Sequence, residues 1–126
     1  SMRAALETLG ATQPGPRGRR IAVLGDMLEL GAQAASLHAD LVDEFVGNAI
    51  DLVFLCGPNM EALYQILPGR IQGLHAADSQ ALLPHVRAAV RPGDVVLVKG
   101  SLGSRMEPIV TALADLDQAP PRAAVQ

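Results

Sequence analysis

A chain of 126 residues, 49% apolar and with a net charge of −3, is sized for one folded core that buries about two thirds of the surface of its extended form. Its longest apolar runs fall far short of the ~18 residues of a membrane span, its start lacks the basic flank and apolar stretch of a secretory signal, and its single cysteine, Cys56, has no disulfide partner. The basic residues are dispersed and aromatic residues make up 2%, so no nucleic-acid footprint is visible, and a soluble, cytoplasmic protein is expected.

The first element is a helix from Met2 to Leu9, followed by the turn-rich connection "GATQPGPRGRR". Four apolar runs then alternate with helical patterns: "RIAVLG" from Arg20, "DLVFLC" from Asp51, a weaker "RIQGLH" from Arg70 and "DVVLVK" from Asp94. That alternation predicts βαβ units. Between the first two runs, Leu37, Leu41, Val42, Phe45 and Val46 recur at near-helical spacing, and Met60, Leu63, Tyr64 and Leu67 do so between the next two. "DSQALLPHVRAAV" predicts a helix capped by Asp78 or Ser79, with a kink at Pro84. "RMEPIVTALADL" supplies the last helix, with Met106, Ile109, Val110 and Leu113 on one face. Ile21 to Leu24 and Val95 to Val98 are apolar at every position, the pattern of strands covered on both faces of a parallel sheet. The expected fold is a three-layer α/β/α, Rossmann-like domain over residues 1–117. The tail 118–126, "QAPPRAAVQ", has nothing to bury and is expected to be disordered.

In open parallel sheets ligands gather beyond the carboxyl ends of the strands, where this chain places "GDMLELG", "GPN" and "KGSLGSRMEP". Asp26 admits two readings: a cap of a short helical turn, with Glu29 on its solvated side, or a carboxylate offered to a substrate ammonium or a metal-bound water. "KGSLGSR" places Lys99, free loop N–H groups and Arg105 in an array suited to an anion. It is not a Walker A loop, in which the glycines precede the lysine, and no GxGxxG or GxSxG occurs. Lys99 is the one lysine against nine arginines; it reads either as chance in an arginine-biased composition or as a place where a compact ammonium works and a planar guanidinium would not. His38, one residue past Leu37, is placed as half-buried, His75 ends a strand and His85 sits on a helix; no pair has the spacing of zinc ligands, and no metal site is expected. Cys56 ends a buried strand and is read as inert. Asn59 is read as a cap more than as a ligand.

"RIAVLGDMLELG", with His38 seven residues after its last glycine, and "VVLVKGSLGSRME" together resemble the C-terminal domain of the Mur ligases, in the branch that adds D-alanyl-D-alanine to UDP-N-acetylmuramoyl-tripeptide. The resemblance covers residues 20–107, and "SMRAAL" resembles the family's segment after an Asn-Pro pair, although Ser1 and Met2 also fit a cloning remnant. It implies an ATP-dependent amide-bond ligase of peptidoglycan precursor synthesis. There ATP phosphorylates the tripeptide carboxylate and the dipeptide amine attacks the acyl phosphate. N-terminal and central domains would hold the UDP-sugar, ATP and Mg2+, and the C-terminal domain would close over the nucleotide and amino-substrate cleft. This chain would be an excised domain without turnover of its own. On that resemblance Asp26 is the candidate for the ammonium, and Lys99 and Ser101 for the carboxylate or transferred phosphate. Arg105 shares that role or braces the loop, and Glu29, His38 and Asn59 support. An arginine frequent in the family directly after "KGS" is Leu102 here, which puts in doubt any role resting on that position; Arg105 is the candidate to substitute from a different place.

The alternative is a non-catalytic Rossmann-like binding or regulatory module. A phosphoacceptor receiver needs an aspartate where the third run ends in His75. A dinucleotide-binding domain needs a glycine-rich first turn and an acid where Cys56 and Gly57 stand. A structural or interaction domain remains open.

Overall fold

The computed structural model describes residues 1–27 and 34–117. Glu29 and the tail 118–126 lie outside the described residues. The elements follow the order α1 (Met2–Ala11), β1 (Arg20–Leu24), α2 (Ala34–Gly47), β2 (Leu52–Cys56), α3 (Glu61–Ile66), β3 (Gln72–Ala76), α4 (Ser79–Ala89), β4 (Val95–Lys99) and α5 (Glu107–Asp117). The strands form one parallel sheet in the order β3-β2-β1-β4.

Alternate residues of each strand feed the two faces, as the period of two requires. Ala22, Leu24, Val53 and Leu55 join Leu6, Phe45 and Leu63 beneath α1, α2 and α3. Ile21, Val23, Phe54 and Cys56 join Leu82, Val86 and Ile109 beneath α4 and α5. The result is the expected α/β/α sandwich, in which each fully buried Leu, Ile or Phe contributes about 1.5–3 kcal/mol.

Four local expectations are corrected. Val95 to Val98 are half-buried, not fully covered: helices lie on both faces, but β4 is an edge strand with β1 on one side only, so its outer flank stays open. Leu37, Val46 and Val110 are 39%, 46% and 48% exposed, because each lies at the margin of its helix's apolar stripe while Leu41, Phe45 and Ile109 hold the centre. Met60 belongs to a 3-10 turn, Pro58–Met60, that precedes a shorter α3. Helix α4 is assigned unbroken through Pro84. Proline removes the N–H that would bond the Gln80 carbonyl, and since both residues are exposed, water can take its place.

At the amino end of the sheet Asp94, with a fully buried side chain, accepts hydrogen bonds from the Arg19 backbone N–H (2.8 Å), Arg19 Nη2 (2.8 Å) and the Arg91 N–H (2.8 Å). This knot joins the entry to β1 with the entry to β4 and leaves the opposite end of the sheet to the loops of interest.

Candidate functional site

Parallel register places Leu24 beside Leu55 and Lys99, so the loops after β1, β2 and β4 leave the sheet side by side. The Gly25 N–H donates to the Lys99 carbonyl at 2.8 Å. The Asp26 carbonyl accepts from the Ser101 N–H at 3.1 Å and from the Ser104 hydroxyl at 3.1 Å. Its carboxylate turns the other way, where Oδ1 accepts the Asn59 N–H at 3.1 Å and Oδ2 lies 3.5 Å from Asn59 Nδ2. Asp26 is therefore a cap of the Pro58–Met60 turn in the neighbouring loop, with Asn59 its capped partner; the short turn expected after Asp26 itself lies outside the described residues.

Gly57 makes this approach possible. Its φ is +101°, and a Cβ there would collide with the Asp26 carboxylate. Its carbonyl is held by His75 Nε2 at 2.7 Å; since a carbonyl only accepts, that nitrogen carries the proton. His75, unassigned by sequence reasoning, thus ties β3 to the β2 loop. The available signal was its place at the end of a strand adjoining β2.

The "KGSLGSR" segment folds as a 3-10 turn, Leu102–Ser104, with Ser101 Oγ and Ser104 Oγ 2.9 Å apart and Leu102 99% exposed. Two hollows border it. The smaller, of about 260 Å³, is lined by Asp26, Gly57, Asp78, Ser101 and Ser104, with Cys56 at its base. The larger, of about 860 Å³, runs between α1 and α2 over Met27, Leu37 and Leu41 and is bordered by Lys99, Gly100 and Ser101. Asp26 and Lys99 thus open onto different hollows, and Ser101 borders both.

Lys99 is exposed and makes no ion pair among the described residues, whereas Arg3, on the same groove, is paired with Glu44 at 3.1 Å and Glu7 at 3.7 Å. An exposed ammonium can meet an incoming anion, but the expected free loop N–H groups are in part taken: those of Ser101, Ser104 and Arg105 donate to the Asp26, Ser101 and Leu102 carbonyls. Arg105 is exposed and lines neither hollow. His38 is more deeply placed than expected, 4% exposed on the core side of α2, and its Nε2 has no hydrogen-bond partner among the described residues. Cys56 is 1% exposed; burial, with the negative charges of Asp26 and Asp78, pushes its thiol up to about 11. It is a packing residue against Met106 Sδ, 3.7 Å away.

An open parallel sheet whose strand-end loops are clasped together around a carboxylate, with an exposed ammonium alongside, defines an α/β domain of the doubly wound class, in which ligands gather beyond the carboxyl ends of the strands. Residues 1–102 match the family described as Mur ligase, glutamate ligase domain, and the chain belongs to that family. It is 35% identical over 117 residues to the UDP-N-acetylmuramoyl-tripeptide–D-alanyl-D-alanine ligase of Escherichia coli K12, with 91% of this chain aligned to 24% of that protein. Against the ligase of the same description from Rickettsia prowazekii, identity is 31% over 110 residues, covering 87% and 24% of the two chains. The MurF ligase of Thermotoga maritima, solved in complex with ADP, superposes with a TM-score of 0.67 at 27% identity over 92% of this chain and 26% of that one. MurF of Acinetobacter baumannii superposes with a TM-score of 0.68 at 26% identity, covering 93% and 24%. The chain spans about a quarter of the length of the curated relatives it matches.

Proposed function

We propose that this chain is the C-terminal domain of an ATP-dependent ligase that joins D-alanyl-D-alanine to UDP-N-acetylmuramoyl-tripeptide in peptidoglycan precursor synthesis in the cytoplasm. The observation that carries the reading is the strand-end clasp, in which Asp26, the Ser101–Ser104 turn and Lys99 are gathered at one edge of a Mur ligase domain. The dipeptide carries an ammonium and a carboxylate. Asp26 accepts the ammonium with the lone pairs left over from Asn59, while Lys99 and the Ser101 hydroxyl meet the carboxylate or the transferred phosphate, with Arg105 bracing the turn. Because Asp26 and Lys99 face different hollows, the ligand reaches over Ser101 or the two charges serve different groups.

ATP supplies the activation of the tripeptide carboxylate. This chain has no Walker A loop, and among the described residues no three His, Cys, Asp or Glu side chains converge as metal ligands. On the family relationship, ATP and Mg2+ belong to a central domain of a longer parent chain and the UDP-sugar to its N-terminal domain. The domain closes over that cleft and shields the acyl phosphate from water; alone it has no turnover.

The test is ADP release by the purified parent. Release that requires both UDP-N-acetylmuramoyl-tripeptide and D-alanyl-D-alanine supports the reading, and release driven by a single amino acid in place of the dipeptide would reassign it to another Mur ligase branch.

A further inference from the structure

Arg105 lies in the left-handed helical region, with φ 53° and ψ 57°, a conformation rare for arginine because Cβ crowds the backbone oxygen. Such a residue persists where its surroundings over-determine it. On its C-terminal side Met106, 8% exposed, is packed against Cys56. On its N-terminal side the Ser104 hydroxyl is bonded to the Asp26 carbonyl. The Arg105 peptide itself is held from another element. Ser79, the first residue of α4 and 8% exposed, donates its hydroxyl to the Arg105 carbonyl at 2.8 Å. That hydroxyl is not needed to cap α4, since Asp78 Oδ1 already accepts the Ala81 N–H at 2.8 Å.

We propose that Ser79 is a positioning residue for the smaller hollow. By fixing the Arg105 peptide it keeps the Ser101–Ser104 turn seated on Asp26, in the shape that receives the amino substrate. The inference rests on the reading of that hollow as the amino-substrate site. Ser79 lines neither hollow and acts through the backbone of Arg105. Loss of its hydroxyl frees Arg105 to leave the left-handed region and the turn to lift from Asp26. Glycine at 105 adopts that region without a Cβ penalty, so the two positions are coupled.

The experiment pairs amide hydrogen exchange on the 126-residue chain with steady-state kinetics of the intact parent. Ser79→Ala is expected to speed exchange at the Ser101 and Ser104 amides roughly tenfold, the weight of one buried hydrogen bond, while Val23 and Phe54 keep their rates. It is also expected to raise the dipeptide KM several-fold with the ATP KM unchanged. Ser79→Thr restores both readouts, and Ser79→Ala with Arg105→Gly restores the exchange rates. Unchanged exchange at Ser101 and Ser104, or equal acceleration at Val23, overturns the clamp. Faster local exchange with an unaltered dipeptide KM overturns the positioning role. If the parent does not use the dipeptide at all, the reading of the hollow fails by itself, and exchange still decides for or against the clamp.

Discussion

The Asp26 carboxylate accepts the backbone N–H of Asn59 at 3.1 Å, linking residues 33 apart in sequence across the ends of two adjacent parallel strands. In the proposed site this one side chain has two duties, capping a turn with one oxygen and presenting charge with what remains.

Those duties separate by substitution. Asp26→Asn keeps an oxygen for the Asn59 N–H and discards the charge, whereas Asp26→Ala removes both. In the intact parent, Asp26→Asn is expected to impair use of D-alanyl-D-alanine more than use of ATP while the melting temperature holds. Asp26→Ala should show the same kinetic defect together with the loss of about 0.5–2 kcal/mol that accompanies a lost cap. Unchanged dipeptide kinetics in both variants, with melting lowered only in the alanine variant, would leave the carboxylate a cap alone.

Lys99→Met retains most of the apolar stem and deletes the ammonium. Loss of one charge-assisted hydrogen bond to the reacting phosphate or the dipeptide carboxylate should remove about 1.5–3 kcal/mol of transition-state stabilisation, roughly ten- to a hundredfold in kcat/KM. Stability should hardly move, because the side chain is exposed at the end of an edge strand and has no ion-pair partner among the described residues. Wild-type kinetics for both ATP and dipeptide would reduce Lys99 to a solvated strand end.

Asp94 is expected to shape the acid limb of stability. Burial alone would raise its carboxyl, but the hydrogen bonds from the Arg19 side chain and from the Arg91 and Arg19 backbone outweigh that and hold it below the ordinary carboxylate value. A depressed folded-state pKa gives stability that is complete above the unfolded carboxylate value, near 3.9, and is lost as pH falls through the folded one. Chemical denaturation followed from pH 7 to pH 2 should show this loss below about pH 4. Asp94→Asn should flatten the acid limb and weaken the fold at neutral pH by about 3 kcal/mol, the lower end of the range for a broken buried pair, since Arg19 is 24% exposed. An unaltered acid limb would mean that the unfolded chain or other carboxylates set it.

Cys56 should be silent to thiol reagents in the native chain. With its thiol pushed up to about 11 and 1% exposed, only about one molecule in a few thousand carries the thiolate at pH 7.5. Colorimetric thiol titration is expected to register one equivalent in guanidinium and almost none without it. Rapid native labelling would place the thiol in an open site, contrary to its packing against Met106.

Much of this fold was legible along the chain because hydrophobic periodicity is a local property. Ile21 to Leu24, Leu52 to Cys56 and Val95 to Val98 announce strands by themselves, and Asp78 ahead of an apolar stripe announces a helix start. The resemblance of "GDMLELG" and "KGSLGS" to the Mur ligases pointed to the family. Tertiary structure decided what depends on contacts between distant residues. Strand order made β4 an edge, register set Asp26 against Asn59, and the turn after Lys99 sent the lysine to one hollow and the aspartate to another. An oxygen's partner is chosen by what folding brings within about 3 Å of it. No spacing in the sequence records that Ser79 and Arg105 meet, because their neighbourhood exists only once α4 and α5 have packed on the same face of the sheet.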